Sequence, residues 1–114
     1  MKVNGFGPAD AKIVIIGEAP GADEEKEGVP FVGSSGELLD QMLEESGIDR
    51  GECYIDNVVQ VRPPGNNFGI YYEDKSRKKA TAELKEARKR LVKDVKAINP
   101  NVVIALGNEA LRAL

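Results

Sequence analysis

Histidine is absent from the 114 residues, and cysteine occurs once, as Cys53. Without an imidazole, the chain contains no His-based catalytic triad, no His metal ligand and no His general acid. A single thiol forms no internal disulfide and, alone, holds neither zinc nor an iron–sulfur cluster. No apolar run approaches the roughly 20 residues of a membrane span. The start, Met1-Lys2-Val3-Asn4-Gly5, lacks the apolar stretch of a signal peptide. The expectation is a soluble, cytoplasmic protein whose chemistry comes from Asp, Glu, Asn, Lys, Tyr or the backbone. At 41% hydrophobic residues the chain can bury a core, and its length suits one domain rather than two.

The net charge of −3 hides a division. Residues 1–74 carry 5 Lys/Arg against 15 Asp/Glu, whereas residues 75–96 carry 10 against 3. An acidic pI near 5.1 argues against general coating of nucleic acid, but a local basic helix could meet a phosphate backbone. The same helix could equally be a solvated face rich in good helix formers.

Lys12-Ile13-Val14-Ile15-Ile16 is a continuous, β-branched run ending at Gly17, as expected of a strand buried on both faces. Residues 17–36 hold five Gly and two Pro and read as a long functional loop without regular structure. Ser34 or Ser35 then caps a helix with Leu38, Leu39, Met42 and Leu43 on one face and Gly47 as its stop. A second strand is predicted over residues 54–61, followed by a loop over 66–75 containing Phe68, Tyr71 and Tyr72. A helix over about 76–99 has the stripe Leu84, Ala87, Leu91, Val95 and Ile98. A third strand over 102–107 and a short helix capped by Asn108 complete the pattern. Strand and helix alternate three times, which predicts a three-layer α/β/α fold with a short parallel sheet.

Ligands of open parallel sheets sit outside the C-terminal ends of the strands. Each of those ends carries a Gly or Pro cluster here: Gly17-Glu18-Ala19-Pro20-Gly21, Arg62-Pro63-Pro64-Gly65-Asn66 and Leu106-Gly107-Asn108. The first lacks the spacing of a dinucleotide fingerprint and the Gly-Lys-Ser/Thr of a P-loop. The acids Asp23, Glu24, Glu25 and Glu27 would also repel a triphosphate. Phe31, in a polar loop, is either a core plug or a platform for a flat ligand such as a base. Asn57 is an amide in an apolar strand, where Asn is disfavoured. It either caps a neighbouring loop or reads an N–H and C=O edge such as that of uracil.

In order, Gly17-Glu18-Ala19-Pro20-Gly21, Gly28-Val29-Pro30-Phe31-Val32-Gly33, Tyr54-Ile55-Asp56-Asn57-Val58-Val59, Arg62-Pro63-Pro64-Gly65-Asn66 and Ala105-Leu106-Gly107 resemble the uracil-DNA glycosylase superfamily. The nearest branch is the iron–sulfur prokaryotic type with its phage polymerase-associated relatives, and the resemblance runs from Phe6 to Leu114. It implies excision of a uracil flipped out of DNA. Phe31 then matches the ring that stacks on uracil and Asn57 the amide that reads its edge. Gly17, Ala19, Pro20 and Gly21 line the base pocket, and Glu24 or Glu25 crowds the place of a thymine methyl. Glu18 and Asn66 are the catalytic candidates, the first for orienting water and the second near the sugar. Arg62, Lys78 and Lys79 are candidates for the DNA backbone.

Three departures accompany the resemblance. Better-known glycosylases place an Asp where Ala19 stands. The iron–sulfur members carry two cysteines before the first strand, one at the position of Val61 and one within about 76–90; none of these stands here, so no cluster is expected. The family's His-containing loop follows a fourth strand, and the sequence stops before it, so weak or no activity is expected of these residues. Uracil-containing DNA, single-stranded or with a flipped base, is the expected partner, with self-association a further one. The rival readings are a non-catalytic DNA- or protein-interaction module using the basic helix over 75–96, and a small-nucleotide-binding protein unrelated to DNA.

Overall fold

The β-branched run becomes β1 (Ile13–Gly17), the central strand of a three-stranded parallel sheet. β2 (Cys53–Asn57) and β3 (Val102–Ala105) flank it in the order β2-β1-β3. The computed structural model describes all residues from Met1 to Leu114. Side chains alternate across a strand, so β1 feeds two cores. Val14 and Ile16 pack with Leu84, Leu91, Ala110 and Ala113 on one face, and Ile15 packs with Leu39, Leu43, Cys53 and Ile55 on the other. Helices therefore cover both faces, giving the three layers expected. Leu84 and Leu91 are fully buried, each contributing about 1.5–3 kcal/mol of apolar burial. No helix is long and apolar enough to cross a membrane.

Six local expectations are corrected. The stretch 17–36 is not without regular structure, since it contains α1 (Ala22–Glu27). Glu24 caps it by accepting the Gly21 N–H, acids fill its first turn, and Gly28 ends it in the left-handed conformation. α2 (Gly33–Glu45) starts after Val32, and Ser35 does not cap it, since its hydroxyl donates to Val32 C=O and to Glu24. On α2 only Leu39 and Leu43 are buried among the predicted stripe; Leu38 and Met42 lie on the exposed flank. β2 stops at Asn57 because β1, its ladder partner, ends opposite at Gly17.

α3 (Ala82–Ile98) begins six residues later than its composition suggests, so the basic stretch 75–96 is not one helix. Asp74 accepts from the Ser76 hydroxyl and from the Lys78 and Lys79 N–H groups, organising a turn that competes with helix. The Ser76 hydroxyl and these backbone donors hold its carboxyl below the usual range. Thr81 then caps α3. Finally, α4 (Asn108–Ala113) is capped at Gly107, with Asn108 already helical.

The turn before α3 is pinned to α4 by a buried polar group. The Tyr72 hydroxyl donates to Glu109, Arg77 pairs with the other Glu109 oxygen at 2.9 Å, and Arg88 donates to Tyr72. β3 ends at Ala105, shorter than the expected 102–107, and forms an edge of the sheet with Val102 and Val103 exposed. Cys53 is buried beneath α2, and burial pushes its thiol up from the usual range, with Asp49 and Glu52 acting in the same direction.

Candidate functional site

The parallel register places Gly17 opposite Asn57 on the last rung of the β1–β2 ladder. Beyond that rung lies a cavity of about 260 Å³, lined by Gly17, Glu18, Ala19, Glu24, Phe31, Ser35, Asn57, Leu106 and Gly107. It lies at the C-terminal ends of all three strands, where open α/β sheets bind ligands. The volume suits a single flat ring rather than a drug-sized molecule.

Gly17 lets the site exist. A Cβ there would come within 2.6 Å of Asn57 Oδ1 and closer still to the Phe31 ring. The ring and the amide thus converge over bare backbone. Asn57 is 2% exposed; its N–H donates to Asp56 Oδ1 and its C=O accepts from Arg90, but its side-chain amide bonds to no protein group. The amide atoms are not sealed in, since the buried side-chain polar atom left without a partner is Arg88 Nε; they stay open to the cavity that Asn57 lines.

Phe31 has a left-handed backbone, φ 55°, which a bulky residue adopts only when held. The clamp is Arg50, which donates to the carbonyls of Pro30 and Phe31 at 3.0 and 2.7 Å and to Asp40 at 2.7 Å. The ring both lines the cavity and packs against the core under α2.

Glu24 is the side chain that ties this loop together. One oxygen accepts from Gly21 N–H; the other accepts from Val32 N–H at 2.9 Å and from Ser35 at 3.3 Å. Glu25 lies outside, 3.9 Å from Arg62. Glu18 borders the cavity, and its Oε2 accepts the Glu109 N–H at the start of α4 at 3.1 Å. Close packing against Glu18 also explains Gly107, where a Cβ would meet that carboxylate.

The other candidates are spread more widely. Pro20, Gly21 and Asn66 share a neighbouring cavity of about 160 Å³ with Glu18 and Ala19. Asn66 is exposed, its Oδ1 accepting from Arg62 Nε at 2.9 Å. Lys78 and Lys79 belong to the turn before α3, away from both cavities, with Lys79 paired to Glu73. Ser35, Leu106 and Gly107 complete the lining although the sequence does not assign them to the pocket; only the Gly21–Glu24 spacing hints at the loop's internal bonding.

A profile of the uracil DNA glycosylase superfamily matches residues 4–114. The chain belongs to that superfamily. It is 43% identical over 109 residues to the type-4 uracil-DNA glycosylase of Thermotoga maritima, covering 96% of this chain and 52% of the relative. The type-4 enzyme of Archaeoglobus fulgidus is 42% identical over 108 residues, covering 95% and 49%. A DNA polymerase of Bacillus phage SP01 is 29% identical over 98% of this chain and 11% of its own length. The chain thus spans about half the length of the type-4 relatives.

The resemblance implies cluster cysteines before β1, at Val61 and within about 76–90, and no thiol stands at any of these. Val61 and the 76–90 segment meet at a cavity of about 410 Å³ that Glu83, Glu86, Ala87 and Arg90 line from α3. Cys53 lies under the opposite face of the sheet. These residues do not fit a thiolate-held cluster.

Gly17→Ala tests the geometry directly, since the glycine's backbone angles do not themselves demand glycine. The added methyl is expected to displace Phe31 and the Asn57 amide, with an overpacking cost of about 1–3 kcal/mol in chemical denaturation. Unchanged stability with unchanged Asn57 side-chain NMR signals would contradict it.

Proposed function

We propose that this chain is one glycosylase-like α/β unit that serves DNA repair by recognising uracil flipped out of DNA. These residues supply base recognition and water orientation for hydrolysis of the N-glycosidic bond, with weak or no turnover by them alone, because the chain holds no imidazole to donate to the leaving uracil. The observation that carries this reading is the Asn57 amide, which has no hydrogen-bond partner in the protein and lines the same cavity as the Phe31 ring. Its carbonyl accepts the uracil N3–H and its NH₂ donates to uracil O4. Cytosine presents an acceptor and a donor in the reverse order, so it leaves both unmatched. Phe31 stacks on the base, compensating for part of the few kcal/mol that flipping costs.

Cleavage builds positive charge on the sugar and negative charge on the departing base. In this reading Glu18 orients the attacking water: Oε2 is held by the Glu109 N–H, which leaves Oε1 to accept from water. Glu24 holds the pocket wall through Gly21 and Val32 and limits space beside the base. Asn66 and Arg62 lie on the sugar–phosphate side. No iron–sulfur cluster takes part, and the protein meets its DNA substrate in the cytoplasm.

Anisotropy titration with single-stranded oligonucleotides carrying one uracil or one cytosine tests the reading. The uracil strand is expected to bind tighter, and Asn57→Ala is expected to reduce that preference about tenfold. Equal affinities with a steep salt dependence would instead support the interaction module built on residues 75–96. Against that module stands the engagement of Arg77, Arg88 and Arg90 in internal hydrogen bonds.

A second reading concerns assembly. Parallel sheets are normally covered, and β3 leaves one edge and two valines open. We infer that this edge pairs with that of a second copy. Sedimentation is expected to show mass rising with concentration, and Val103→Lys to suppress it; a wild-type monomer at every concentration would contradict this.

A further inference from the structure

No protein hydrogen bond fixes the Asn57 amide, so the placement of the backbone that carries it matters for where it points. That backbone sits where the β1–β2 ladder runs out. Two charged side chains hold it there. Asp56 Oδ1 accepts the Asn57 N–H at 2.7 Å, and Arg90 Nη2 donates to the Asn57 carbonyl at 2.8 Å and the Val58 carbonyl at 3.0 Å. Arg90 Nη1 donates to Asp56 Oδ2 at 2.5 Å, closing a ring around the peptide units on either side of Asn57. The Asp56 side chain is 1% exposed and that of Arg90 27%, so a buried carboxylate is met by a half-buried guanidinium through forked, charge-assisted hydrogen bonds. Asp94 at 3.2 Å and Gln60, donating to Asp56, complete the group.

Arg90 does not line the base cavity. It reaches the strand end from α3, beside Val61 and Ala87, where the family resemblance would have placed cluster cysteines. In this chain an ion pair, rather than a metal cluster, ties α3 to the exit of β2.

We propose that Arg90, through Asp56 and the two carbonyls, is the positioning residue for Asn57 and sets how strongly uracil is preferred over cytosine. This rests on the uracil-recognition reading. A guanidinium is required, because the ammonium of Lys cannot serve the Asp56 carboxylate and both carbonyls in the same fixed plane.

The test uses the full chain as wild type, Arg90→Gln, Arg90→Lys, Asn57→Ala and the double variant Asn57→Ala/Arg90→Gln. Each is confirmed folded by its melting curve and titrated with the uracil and cytosine oligonucleotides. Arg90→Gln is expected to cut the uracil-to-cytosine affinity ratio about tenfold, with Arg90→Lys in between. In the Asn57→Ala background Arg90→Gln should change the ratio no further, since the two act as one unit. A merely structural role would lower affinity for both strands alike and leave the ratio intact, and that result overturns the proposal. If Arg90→Gln fails to fold, Arg90→Lys decides by the same ratio. No uracil preference in the wild type overturns the recognition reading and this proposal with it. A wild-type preference that both Arg90 variants keep overturns this proposal alone.

Discussion

The rung where Gly17 faces Asn57 is the constraint on which the site depends. The strand pairing of β1 and β2 ends there, with Val58 and Val59 N–H still donating to the Gly17 and Glu18 carbonyls, and a ring and an amide approach the same point above Gly17. A glycine resolves the conflict by removing the Cβ that would occupy their meeting point. The polar elements then hold the two sides in place. Arg50 and Glu24 fix the loop that carries Phe31, and Asp56 with Arg90 fix the strand end that carries Asn57. Rigid support of this kind is what a recognition site needs, because hydrogen-bond discrimination between bases is lost over small displacements.

Charge distribution follows the same division of labour. The acidic first part supplies carboxylates that bond to backbone N–H groups: Glu18 at α4, Glu24 at Gly21 and Val32, Asp74 before α3. The basic second part supplies guanidiniums that reach back onto carbonyls and buried acids. What looks like a field for long-range attraction is in good part internal bonding, leaving the lysines of α3 as its solvent-facing remainder.

Much of this is legible in the amino-acid sequence alone. β1 and β3 stand out as continuous β-branched runs, α3 by its apolar stripe, and Asn57 and Phe31 by being the wrong residue types for their surroundings. What stays hidden is tertiary. Arg90 reads as one more cation on a solvated helix, and its partner Asp56 lies 34 residues earlier. The α1 turn hides behind Gly and Pro because its cap comes from Glu24 reaching back to a glycine backbone. Asp74 delays α3 through side-chain bonds that composition does not register.

The most direct measurement is an NMR titration of the ¹⁵N-labelled chain with free uracil. Saturable shifts of the Asn57 side-chain amide, together with the backbone signals of Gly17 and Phe31, are the result this account predicts. Shifts confined to the lysines of α3, or no shift at Asn57, would contradict it.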